Sequence, residues 1–184
     1  LPILAGLILF VLPVGDRGAR GIGLAVSLAV LLLGIELFLG FSGAGGMQYA
    51  ENRPWIESLG IRYSLGVDGI SLLVLMAGAI LYPMVFTVFA TRSKGFYANL
   101  LLTQGAMLGA VCAVDMVLFY IFWEVMLLPV FFMIGLYGGE RRLAATLKIT
   151  LYTISGSLLM LAALVYVAVS YHQQFGKWTF DIVE

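Results

Sequence analysis

Long apolar runs alternate with short polar connections along this chain. A helix rises about 1.5 Å per residue, so some 20 apolar residues cross a hydrocarbon core of about 30 Å. On that measure the pattern predicts about six helices, near 1–13, 21–40, 69–90, 97–113, 115–137 and 144–169. The expected fold is all-α, a polytopic transmembrane helix bundle forming one transmembrane domain over residues 1–184. The first run lacks the basic leading segment and small-residue cleavage site of a signal peptide. With no initiator Met before it, it reads as the remnant of a first transmembrane helix in a longer protein.

The polar connections carry an orientation signal, because basic residues stay on the cytoplasmic side. Arg17 and Arg20, Arg92 and Lys94, and Arg141 and Arg142 mark three alternate connections as basic. The others are balanced: Glu51 and Glu57 against Arg53 and Arg62, Asp115 alone, and Lys177 against Asp181 and Glu184 in the tail. The N-terminus and the tail are therefore expected on the periplasmic side. Residues 41–67 are too long for a turn and contain Tyr49, Trp55 and Tyr63, aromatic anchors suited to the headgroup level, so a structured interfacial loop is expected there.

Composition supports the membrane reading. The chain has 184 residues, 62% hydrophobic and 11% charged, against about 25% charged in an ordinary soluble domain. Ten basic and ten acidic residues cancel, and no basic block tracks a phosphate backbone, which argues against nucleic acid. The one cysteine, Cys112, sits in an apolar stretch. A lone thiol builds no zinc or iron–sulfur site and is expected to pack as a small hydrophobe. His172 follows the last apolar run, in a segment read as a solvated polar tail rather than a ligand site.

Ionisable residues within the runs carry the candidate chemistry. Glu36 is one turn from the end of its run and can reach the interface; Asp68 and Asp115 precede helices and are read as N-caps. Glu124 lies near the middle of its run, where an ionised group costs about 2.5–3.5 kcal/mol on insertion scales. Tyr120, at i−4, shares its face and can donate a hydrogen bond. Pro129 lacks the amide that would bond the Val125 carbonyl, which leaves a free acceptor beside the carboxyl and predicts a kink. One reading makes Glu124 a proton carrier or substrate contact; the other makes it a protonated structural residue satisfied by neighbouring helices. Lys148 shares a face with Tyr152 and Ser155, a stripe expected to point into the bundle, with snorkelling to the basic side as the alternative. For antiparallel helices its axial offset from Glu124 is on the order of 10 Å, too far for a direct ion pair. Gly105 and Gly109, and Ser155, Gly156 and Ser157, allow close helix approach.

The stretch from Asp115 through Phe-Tyr120-Ile-Phe-Trp-Glu124 to Pro129, followed by Leu136-Tyr-Gly-Gly139 and Lys148-Ile-Thr-Leu-Tyr152 with Gly156-Ser157, resembles the antiporter-like membrane subunits of respiratory complex I. Trp55 to Ser71 is similar to the chain M type, the counterpart of mitochondrial subunit 4. The resemblance covers nearly the whole chain. It implies an expected fourteen helices in the full subunit, of which about six are present here. It also implies that Glu124 is the glutamate of the fifth helix that pairs with a seventh-helix lysine in proton translocation. Lys148 matches a lysine at the start of the sixth helix, and Tyr120 stands as the hydrogen-bond neighbour of Glu124. The seventh-helix lysine, the later central lysine and the terminal proton-exit residue are absent, so six helices alone would not pump.

The implied function is that of a proton-translocating membrane-arm subunit of a proton-pumping NADH:quinone oxidoreductase. The implied partners are the other membrane-arm subunits, neighbouring antiporter-like subunits among them, and the lipid bilayer, in a bacterial inner membrane. No cofactor or metal is expected in this chain, since it has neither a Gly-rich nucleotide loop on a strand nor a cysteine cluster; NADH, FMN, iron–sulfur clusters and quinone are expected in partner subunits. Two alternatives from other classes stay open. One is a subunit of a multisubunit cation/proton antiporter or a related membrane-bound hydrogenase. The other is a scaffold in which Glu124 is structural.

Overall fold

The computed structural model describes residues 1–43 and 45–183, so Glu184, counted above in the charge of the tail, lies outside the described residues. Six helices form: α1 (Pro2–Val11), α2 (Asp16–Gly40), α3 (Gly69–Val88), α4 (Lys94–Cys112), α5 (Met116–Tyr137) and α6 (Arg142–Phe175). The last five are long and apolar enough to cross a membrane, whereas α1 is shorter. α6 runs beyond its expected end and takes in His172, which is half-buried in the final turn. The apolar pattern ends near residue 169, but nothing in the polar sequence that follows breaks a helix until Gly176. That residue adopts φ +69° and closes the helix through its amide to the His172 carbonyl at 2.8 Å. The imidazole of His172 stacks on Trp178, ring centroids 4.1 Å apart, so it is not the solvated tail residue the sequence suggested.

α4 is the centre of the bundle and packs against α1, α2, α3 and α5, while α6 packs chiefly on α5. Its position explains its composition. Phe96, Tyr97, Leu100 and Leu101 fill the core with Leu9 of α1 and Phe86 of α3. The polar residues Asn99, Thr103 and Gln104 are buried there too, where lipid would leave their hydrogen bonds unmade. Gln104 donates to Ser27 of α2 at 3.2 Å, and Thr103 to the Asn99 carbonyl at 2.9 Å. Gly105 faces Ile3 of α1 and Gly109 faces the Phe122 ring of α5, so the two glycines of one GxxxG spacing admit two different helices.

The loop over 41–67 contains an element the apolar pattern did not predict. β1 (Gln48–Ile56) and β2 (Ile61–Val67) pair antiparallel around a 3-10 turn at Glu57–Leu59, with Gly60 at φ +69°. Tyr49, Trp55 and Tyr63 stand exposed on this hairpin. The α4–α5 connection lies beside β2, with the Val114 amide donating to the Ser64 carbonyl at 2.9 Å. The tail lies on the other side of the connection: Met116 donates to the Phe180 carbonyl at 2.8 Å and Ile182 to the Val114 carbonyl at 2.9 Å. Asp68 caps α3 in a reciprocal box with Ser71, accepting the Ser71 amide at 2.7 Å while the Ser71 hydroxyl accepts the Asp68 amide at 2.8 Å. The Ser71 amide, and after it the Ser71 hydroxyl, hold its carboxyl below the usual aspartate range.

At the opposite end the basic residues close helices. Arg20 donates to the Phe86 and Thr87 carbonyls at 2.8 and 3.0 Å, at the end of α3. Lys94 donates to the Phe10 and Leu12 carbonyls at 3.2 and 3.1 Å, at the end of α1. Arg142 reaches the Leu136 carbonyl at 3.1 Å, at the end of α5. Each cation thus meets the partial negative charge and orphan carbonyls of a helix C-terminus. Tyr97 fixes the same end, its hydroxyl donating to the Phe89 carbonyl at 2.7 Å, and Ser93 bonds Tyr137 at 2.7 Å.

Candidate functional site

The seam between α5 and α6 holds Glu124. Gly135 lies beside Thr146 and Tyr120 beside Ser157, so the two helices run antiparallel and Glu124 is level with the turn of α6 between Thr153 and Ser157. Asp115 starts α5 by accepting the Val117 and Leu118 amides at 2.9 and 3.0 Å. Pro129 lies inside α5 and is buried.

Glu124 is half-buried, and its Oε1 is shielded from solvent with no hydrogen-bond partner. Tyr120 is its polar neighbour one turn earlier, and the same hydroxyl neighbours Ser157 of α6. Ser157 is buried and donates to the Ile154 carbonyl at 3.1 Å, which leaves its oxygen free to accept from Tyr120. Tyr120, Glu124 and Ser157 therefore form one polar group in an otherwise apolar seam.

The stripe of Lys148, Tyr152 and Ser155 does not join it. All three are exposed on the face of α6 turned away from α5, Tyr152 by 80%, and Lys148 makes no ion pair with Glu124. In its first half α6 instead turns inward hydroxyls at i, i+4, i+7 and i+11: Thr146, Thr150, Thr153 and Ser157. That helical spacing was visible in the sequence, where the charge of Lys148 drew attention from it. Thr146 is buried and donates to the Arg142 carbonyl at 2.7 Å, and Thr153 donates to the Ile149 carbonyl at 2.7 Å. Thr150 Oγ1 is shielded and, like Glu124 Oε1, has no partner.

The remaining candidates lie apart from the seam. Glu36 is exposed near the end of α2. Cys112 is a free, half-buried thiol at the end of α4, beside an apolar cleft of about 340 Å³ between α1, α2, α4 and α5. Among the described residues no three His, Cys, Asp or Glu side chains converge as metal ligands.

Residues 113–180, which hold the whole seam, match the domain family described as NADH:quinone oxidoreductase/Mrp antiporter, transmembrane. The chain is 40% identical over 174 residues to NADH-quinone oxidoreductase subunit M of Rhodobacter capsulatus, covering 90% of this chain and 34% of that protein. It is 39% identical over 171 residues to F(420)H(2) dehydrogenase subunit M of Methanosarcina mazei, again covering 90% and 34%. The fold superposes on a chain of respiratory complex I from Thermus thermophilus with a TM-score of 0.83 at 32% identity, covering 98% of this chain and 36% of that one. The chain spans about a third of the length of the curated relatives it matches. With its matched domain, its identity to these relatives and its fold, the chain belongs to the family of antiporter-like membrane subunits of NADH:quinone oxidoreductases.

Proposed function

We propose that this chain is part of a proton-translocating membrane-arm subunit of a proton-pumping NADH:quinone oxidoreductase, with Glu124 taking part in the proton path. The observation that carries the reading is the partnerless, shielded Oε1 of Glu124 inside a membrane-crossing helix. A carboxyl there is costly as a structural element and useful as a site that gains and loses a proton. Moving one charge through 100 mV takes about 2.3 kcal/mol, so a buried carboxyl whose surroundings change by a few kcal/mol can take up and release a proton against the membrane potential.

The electron-transfer chemistry belongs to partner subunits in this reading, which carry NADH, FMN, iron–sulfur clusters and quinone. The partners are the other membrane-arm subunits, neighbouring antiporter-like subunits among them. The basic ends of α1, α3 and α5 face the cytoplasm, and the hairpin, the tail and the N-terminus face the periplasm of a bacterial inner membrane. A lysine facing Glu124 belongs to helices beyond these six, and Lys148, on its exposed face, is a second candidate for the wider path.

The matched domain family also names Mrp antiporters, which favours a second reading as a subunit of a cation/proton antiporter. Removing the full-length protein from its native membranes separates the two. Loss of NADH-driven proton uptake, with the redox subunits present, supports the first reading. Loss of sodium/proton exchange with NADH-driven proton uptake unchanged supports the second and defeats the first.

A further inference from the structure

A groove of about 400 Å³ lies between α1, α4 and α5, walled by Phe10 of α1, Leu102 of α4 and Leu128, Phe132 and Leu136 of α5. Neither Glu124 nor Tyr120 lines it. Phe10, Leu128, Phe132 and Leu136 are exposed, and the stretch from Leu128 to Leu136 runs about 12 Å along α5, most of one leaflet of a core about 30 Å thick. The polar side chains in the wall, Asn99 and Tyr137, already have partners: Asn99 donates to the Gly95 carbonyl at 2.8 Å, and the Tyr137 hydroxyl bonds that of Ser93 at 2.7 Å. The groove therefore suits a hydrocarbon chain and offers little to a polar ligand.

A charged rim sets this groove apart from the other exposed apolar faces. Cations hold the carbonyls of two of its wall residues: Lys94 Nζ donates to that of Phe10 at 3.2 Å, and Arg142 Nη1 to that of Leu136 at 3.1 Å. Each cation keeps N–H donors beyond these bonds, and among the described residues neither is in an ion pair. Arg92 adds a third cation on this side, over the Phe96 ring, whose edge meets the Tyr137 ring with centroids 5.3 Å apart. One opposing charge is present, since the Asp16 carboxylate accepts the Lys94 backbone amide at 2.7 Å. Cations at the mouth of an apolar groove between membrane helices complement an anion that carries a hydrocarbon tail. Free phosphate would leave the apolar wall uncovered, and a lipid without net charge would leave the cations unmatched.

We propose that the α1–α4–α5 groove binds one acyl chain of an anionic phospholipid, with Lys94 and Arg142 donating to the phosphate of its headgroup at the rim. The chain lies along Leu128, Phe132 and Leu136 and reaches Pro129, which also lines the groove. Proline leaves α5 one backbone hydrogen bond short there. The lipid thus packs against the helix at its weakest turn.

The test uses the full-length subunit in its assembled complex, reconstituted in vesicles with a photoactivatable lipid. Two probes carry the same diazirine-bearing acyl chain, one on phosphatidylglycerol and one on phosphatidylcholine, and peptide mass mapping locates the cross-links. The expected result is labelling of Leu102 and of α5 between Leu128 and Leu136, on the order of tenfold stronger with phosphatidylglycerol. Lys94→Gln combined with Arg142→Gln should lower the phosphatidylglycerol labelling to the phosphatidylcholine level. Should that variant not assemble, Leu128→Trp fills the groove, keeps both cations and is expected to abolish labelling there by either probe. Equal labelling by the two probes in wild type, or labelling unchanged in Leu128→Trp, overturns the proposal. Absence of labelling at these residues, the result of a groove covered by later helices or a neighbouring subunit, overturns it as well.

Discussion

The Asp115 carboxylate accepts the backbone amide of Arg62 at 3.0 Å through Oδ2 while its Oδ1 caps α5. One side chain, 1% exposed, thereby ties β2 to the start of the helix that carries Tyr120 and Glu124. Reading Asp115 as an N-cap from sequence identified half of this role. Asp115→Ala leaves three amides without their acceptor and is expected to destabilise the full-length subunit by about 1–3 kcal/mol. Asp115→Asn, which keeps one acceptor, is expected to cost less. Thermal unfolding in detergent measures both, and equal stability of Asp115→Ala and wild type would refute the brace.

The cations at the opposite end make a related prediction. Arg20 bonds two carbonyls at the end of α3, so Arg20→Gln should cost about 1 kcal/mol and speed amide exchange in the last turn of α3 while leaving α5 unchanged. Exchange that rises evenly over all helices would mean that Arg20 acts through insertion topology and not through the cap.

Acid should loosen α3 first. The Asp68 carboxyl is held below its usual range by the Ser71 amide and hydroxyl. A lowered folded value means that the cap contributes fully above the unfolded value, about pH 4, and is lost as pH falls through the folded one. Exchange at the first turn of α3 should therefore accelerate below about pH 4 in wild type. In Asp68→Asn that dependence should disappear, and its persistence would assign the effect to another group.

Gly105 lies against Ile3, whose backbone nitrogen would sit 2.9 Å from an added Cβ. Gly105→Val should displace α1 from α4 and lower stability by about 1–3 kcal/mol, read by unfolding and by cross-linking between residues introduced on the two helices. Gly156, with open space around it, should accept Ala with little change.

Much of this was legible in the chain. Apolar length gives the six helices because a membrane span is set by thickness, and Asp68 and Asp115 stand where caps belong. The hairpin at Gln48–Val67 was not legible as strand, since its residues are mostly exposed on β1 and the pairing depends on contacts with Val114 and the tail. The site was legible in its charge and not in its orientation. Glu124 and Tyr120 share a face by spacing alone, but the face α6 turns to α5 is decided by packing. Small hydroxyls fit against α5 where Lys148 and Tyr152 do not. His172 was misplaced for a similar reason: hydropathy marks where lipid ends, and a helix can continue beyond that point.

The central claim is that Glu124 carries protons, and one measurement meets it directly. Protons taken up per NADH oxidised are counted in sealed vesicles for the assembled complex with wild-type subunit, Glu124→Gln and Glu124→Asp. The account predicts a loss of uptake in the Gln variant with assembly intact, and partial recovery in the Asp variant, which restores an exchangeable proton on a shorter arm. A wild-type ratio in assembled Glu124→Gln would contradict it and make the carboxyl a structural residue of the seam.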